Sequence, residues 1–232
     1  MQSYHTGGKT AMARAVALLV AGLLQLVASQ RTLLPDNHES QALRSAAASV
    51  LAAHTPCLHT TVFVTDAAEG GEMLQAPRGL AVLREVDGGK VRGNTSKTYL
   101  GHMAENIHQM GGAWHCLVVV VVSDDPAFLA AFAHLSLRRH ALRWSTRILV
   151  LTRLPLSHLG GLHDLLSNRN AMLLHVQEGE EAARKVNVLV WQPYSTPSST
   201  PLRVATWTTH GRLTLISHVP LFPDKFSVLV NL

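Results

Sequence analysis

The pattern of apolar positions along the chain changes period several times, and each change marks an element. From His115 to Asp125 the sequence reads HCLVVVVVSDD, with five consecutive valines that only a strand buried on both faces accommodates. The run stops at Ser123, Asp124 and Asp125, and Pro126 then opens a helical pattern through Leu137, with Phe128, Leu129, Phe132 and Leu135 inward. A carboxylate before a proline is a helix start: the side chain accepts from the first turn and the ring pre-sets φ. A second strand is predicted over Thr146 to Thr152, and a helix weakened by Gly160 and Gly161 over Pro155 to Ser167. Ala171 to Gln177 follows as a further strand.

Upstream, Ser40 to His54 places Leu43, Ala47, Val50 and Leu51 on one helical face, and Thr60 to Asp66 reads as a strand. Gly79 to Val86 is a candidate strand. Thr98 to Met110 carries Leu100, Met103, Ile107 and Met110 at helical spacing, with Gly111 as its expected stop. Strand and helix alternating at this rhythm imply right-handed crossovers and helices on both faces. The predicted fold class is α/β, a three-layer α/β sandwich with a mainly parallel sheet in the order 2-1-3-4-5. From Arg184 the rhythm changes to short strand-like pieces, Val186 to Trp191, Leu202 to Trp207 and Arg212 to Ser217, around a polar loop from Pro193 to Pro201. These are expected to be antiparallel, either extending the sheet or beginning a second lobe.

Ala15 to Val27, behind Met12, Ala13 and Arg14, has the length of a signal-peptide core and is short for a membrane span. Residues 1–29 are therefore read as a signal peptide cut between Ser29 and Gln30, with residues 1–11 an upstream extension. No other stretch is apolar enough for a transmembrane helix, so the mature chain is expected without a span. The remainder divides into an α/β domain over 30–182, an antiparallel extension over 183–219 and a linker over 220–232. Two cysteines, Cys57 and Cys116, permit one bridge in an oxidising compartment. In the order 2-1-3-4-5 they lie at the starts of neighbouring parallel strands, which predicts a disulfide. Asn94-Thr95-Ser96 is a glycosylation sequon in a polar, glycine-containing stretch read as a loop.

The net charge of +5 changes the picture little, because only 15% of residues are charged and no basic block occurs, so no nucleic-acid partner is expected. There is no G-x-G-x-x-G, G-x-x-x-x-G-K-[ST] or G-x-S-x-G and no C-x-x-C, so no cofactor and no catalytic residue is assigned. The pairs His54 with His59 and His158 with His163 sit five apart, which on a helix turns their side chains apart, and no metal is assigned to them. Asp124 and Asp125 occupy the carboxyl end of a strand, where α/β proteins bind ligands, but helix capping accounts for Asp125. Trp144, Trp191 and Trp207 line a pocket or partner surface on one reading and pack in the core or at an edge on the other.

Three segments resemble a family. Val118 to Leu137, Leu142 to Val176 and Pro201 to Ser227, the last containing PLFPDKFS, look like the extracellular amino-terminal region of crustacean (arthropod) ionotropic receptors, divergent relatives of the ionotropic glutamate receptors. The resemblance implies a non-enzymatic domain of a chemosensory ligand-gated cation channel at the extracellular side of the plasma membrane. Its implied role is receptor assembly, trafficking or modulation, with other receptor subunits as partners. The chain ends five residues after Ser227, so it is read as truncated before the ligand-binding and pore domains, its own product secreted. No ligand-contacting residue of the family transfers to a position here. The alternative reading is a secreted α/β protein that binds a small ligand or acts as a decoy.

Overall fold

The computed structural model describes residues 37–53, 60–66, 81–85, 94–113, 116–177, 185–210 and 212–222. The protein is mixed α/β. Helix α1 (Asn37–Ala53) is followed by β1 (Thr60–Thr65), β2 (Ala81–Glu85), α2 (Asn94–Ala113), β3 (Leu117–Val122), α3 (Pro126–Arg138) and β4 (Arg147–Thr152). Two single 3₁₀ turns lead into α4 (His163–Asn168), and β5 (Ala171–Gln177), β6 (Lys185–Val190), β7 (Leu202–Thr208) and β8 (Arg212–Leu215) complete the order. One eight-stranded sheet runs β2-β1-β3-β4-β5-β6-β7-β8. Pairing is parallel from β2 to β5 and antiparallel from β5 to β8.

Strand alternation sends successive side chains to opposite faces, and two cores result. Val62, Val64, Val119, Val121, Ile148, Val150 and Leu173 meet the apolar stripes of α2, α3 and α4, including Leu100, Ile107, Phe128, Phe132 and Leu165. Phe63, Val118, Val120, Leu149, Leu151, Met172 and Leu174 face the other way, toward Ala42 to Leu51 of α1. The valine run thus serves both cores at once, which is why it carries no polar position.

Two helix boundaries differ from expectation. Helix α2 starts at Asn94 rather than Thr98 and continues through Gly111 to Ala113. A glycine stops a helix by taking a left-handed φ, and Gly111 does not; the space beside its Cα, toward Arg143 and Leu117, accepts ordinary contact. Asn94 is accordingly the first residue of a helix, not a loop residue. The predicted helix from Pro155 to Ser167 is broken into 3₁₀ turns over Leu156–His158 and Gly160–Leu162 before α4 begins. Gly161 approaches α3 so closely that a Cβ would lie 2.6 Å from that of Ala130.

Strands β6 to β8 continue the main sheet outward from β5, so the antiparallel pieces after Arg184 are an extension of it. The expected linker from Pro220 starts inside the fold. Val219, Leu221 and Phe222 are buried against the α1-side core, and the Phe222 amide donates to the Met172 sulfur at 3.4 Å. Residues 1–29 lie outside the described residues, among which no helix is long and apolar enough to cross a membrane.

Candidate functional site

The register of the parallel strands sets up the carboxyl edge. Thr65 pairs with Val122, Val122 with Leu151 and Thr152 with His175. The next residues out, Asp66, Ser123 and Thr152, therefore form a row with His175 across four strands. Asp66 and Ser123 are buried, at 3% and 1% exposure.

These groups are bonded to one another. The Ser123 hydroxyl donates to the Asp66 carboxylate and accepts from the Asp125 amide at 3.0 Å. Asp124 Oδ1 accepts from the Thr152 hydroxyl at 3.1 Å and from the Arg153 amide at 2.6 Å. Its Oδ2 receives Nε and Nη2 of Arg153 in a two-pronged ion pair. The Thr152 hydroxyl also accepts from the Leu154 amide, and the Leu154 carbonyl accepts from His175 Nε2, both at 3.1 Å. Asp125 adopts the extended N-cap conformation and accepts from the Ala127 amide at 2.8 Å, with Pro126 at the first helical position.

A nucleophilic serine needs an exposed hydroxyl and a base to take its proton. Ser123 is sealed, with its proton committed to a carboxylate and a lone pair to an amide. Asp124 is bound to a guanidinium and Asp125 holds the start of α3, so the pair expected at this edge works as a turn lock and a cap.

A second polar contact joins distant parts of the sequence. His163, 5% exposed at the start of α4, places Nε2 3.3 Å from the Ser195 hydroxyl in the β6–β7 loop. Its Nδ1 lies 3.5 Å from Asp164 Oδ1 but makes no hydrogen bond. The carboxylate therefore does not hold the imidazole as an acyl-transfer triad requires. The ring ties a loop to a helix. No local sequence signal pairs His163 with Ser195, because β5 and β6 separate them.

The histidine pairs do not converge. His163 is buried while His158 is exposed, and His54 and His59 lie outside the described residues. Among the described residues no group of three or more His, Cys, Asp or Glu side chains is placed to hold a metal. Trp191 and Trp207 are core residues at 7% and 8% exposure. Trp144 is 63% exposed in the loop before β4, with the Arg169 guanidinium 4.6 Å from its ring centroid.

That loop belongs to the opposite, amino edge of the sheet. Arg147 opens β4 and Arg169 ends α4 just before β5, and burial lowers the pKa of both from the ordinary arginine range. Cys116, one residue before β3, is half-buried and disulfide-bonded, and its carbonyl accepts from the Thr60 amide at 2.9 Å. Cys57, the other cysteine, lies outside the described residues.

No protein-family model matches the chain. No curated protein is significantly similar to it.

Proposed function

We propose that this chain is a non-enzymatic extracellular amino-terminal domain of a chemosensory ligand-gated cation channel, acting in receptor assembly, trafficking or modulation. It is built as a three-layer α/β sandwich whose parallel strands run 2-1-3-4-5. The observation that carries the non-enzymatic part is the closed carboxyl edge, where Asp66, Asp124 and Asp125 are each engaged by a hydroxyl, a guanidinium or a helix amide. The receptor part rests on the resemblance over Val118 to Leu137, Leu142 to Val176 and Pro201 to Ser227. The disulfide at Cys116 fits an oxidising compartment.

Recovery of the complete transcript tests the reading. A frame that continues beyond the codon for Ser227 into membrane-spanning helices supports the receptor. A stop codon there, with a secreted product in insect-cell medium, favours a secreted binding protein or decoy instead. The compartment is tested separately. Secreted protein begins at Gln30 and loses apparent mass on glycosidase treatment, and Asn94→Gln shows no loss. Material held in the membrane with Met1 or Met12 intact overturns the secretory reading.

A further inference from the structure

The amino edge of the sheet carries a group of arginines. Arg143, Arg147 and Arg169 surround the amino ends of β4 and β5, and among the described residues none of the three forms an ion pair. Arg147 and Arg169 have already surrendered part of their hydration to burial. Of the described carboxylates, Asp66, Asp124 and Asp125 belong to the other edge, while Asp164, at the start of the short helix before Arg169, lies 3.5 Å from His163 and pairs with none of the three arginines.

Two exposed aromatic residues belong to the same edge. Trp144 precedes β4 and Tyr194 follows β6, and those two strands are the neighbours of β5 on either side, each about 4.8 Å from it. Tyr194 is 80% exposed and takes a φ of 60° in the turn it forms with Pro193. Trp144 lies under the Arg169 guanidinium, a contact that fixes the ring against the surface.

We propose that this arginine and aromatic surface at the amino edge, centred on β5, binds a sulfated polysaccharide. The planar guanidinium fork matches the oxygens of a sulfate as it does those of a phosphate or carboxylate, and each pair gains a charge-assisted hydrogen bond. Exposed aromatic faces at the same edge as the arginines suit a polymer of rings carrying anionic groups. The disulfide-bonded Cys116 assigns the surface to a compartment whose abundant ring polyanions are glycans rather than nucleic acids. A lipid surface fits less well, because Trp144 is pinned beneath a cation and does not project as a wedge. The proposal stands apart from the receptor reading, since a secreted decoy presents the same edge.

The test uses the full chain purified from medium and a heparin octasaccharide as probe, read by titration calorimetry at low ionic strength. Binding is expected, weakening as salt screens the arginines. Arg147→Ala with Arg169→Ala lowers affinity about tenfold or more, in line with loss of charge-assisted bonds. Both arginines are half-buried, so Arg143→Glu, at an exposed position, keeps the measurement interpretable if the double variant does not fold; it also lowers affinity about tenfold. Trp144→Ala lowers it severalfold, and Lys185→Ala, at the carboxyl edge opposite Gln177, leaves it unchanged. Absence of binding by the parent protein overturns the proposal, as does equal binding of fully desulfated heparin. Tighter binding to single-stranded DNA or to phosphatidylserine vesicles than to the octasaccharide overturns it in favour of those partners.

Discussion

The two edges of the sheet hold comparable polar material and treat it in opposite ways. At the carboxyl edge Ser123 is bonded to Asp66, Asp124 is bonded to Thr152 and Arg153, and Asp125 secures the helix beside them. At the amino edge Arg143, Arg147 and Arg169 form no ion pair among the described residues, and one of them rests on an exposed indole. The parallel half of the sheet produces this contrast. Every strand there ends at the same edge, so the short polar turns that start α3 and the 3₁₀ segment meet side by side. The strand starts are fed by helix ends, where cations are favoured by the helix dipole. A charge answered inside the fold is structural, and one left unanswered is available to something outside it.

The contrast breaks most severely if the amino edge also holds the fold covalently. Non-reducing peptide mapping is expected to return Cys57 linked to Cys116, and Cys116→Ser to lower unfolding free energy by about 4 kcal/mol on the chain-entropy model. Two alkylatable thiols in folded protein would exclude that tie. Next in size, Asp124→Ala is expected to cost about 3 kcal/mol in urea titration, because it removes the two-pronged carboxylate partner of a mostly buried guanidinium. A double-mutant cycle with Arg153→Ala should return a large coupling; additive effects would show that the carboxyl edge is not joined as described. Asp125→Ala should cost about 1 kcal/mol and Asp125→Ser much less, as expected for an N-cap. Smallest of all, Arg143→Ala should shift stability by no more than about 0.5 kcal/mol, and a larger loss would make the amino edge structural too.

The α/β class and most strands were legible because their signals are local. An unbroken valine run, and Asp-Pro before a period of 3.6, each depend on neighbours within one element. Asp125 as a cap was readable for the same reason. What failed to show depended on contacts made at a distance. Gly111 reads as a stop in isolation, yet the helix continues past it; Gly161 reads as a weak helix residue and is instead a close approach to Ala130. The Asp66–Ser123 and Asp124–Arg153 pairs arise from strand order, and His163–Ser195 from a loop folded back over α4. Trp191 and Trp207 separate from Trp144 only through burial, which composition does not carry. The Leu221–Phe222 anchor was hidden by Pro220 and Pro223, which read as linker.

Sequence separation across the sheet also sets the order in which it can close. From β5 to β8 each strand pairs with the next along the chain, so these hairpins form through short loops at little entropic cost. Val62 has to find Val119 across the whole of β2 and α2, and closing that span orders far more chain before any contact rewards it. On refolding of the full chain the antiparallel half is thus expected to close first and β1, with β2 outside it, last. A full-length molecule in which β1 has not yet paired would present the open flank of β3, with its run of valines, as the surface most exposed to mispairing.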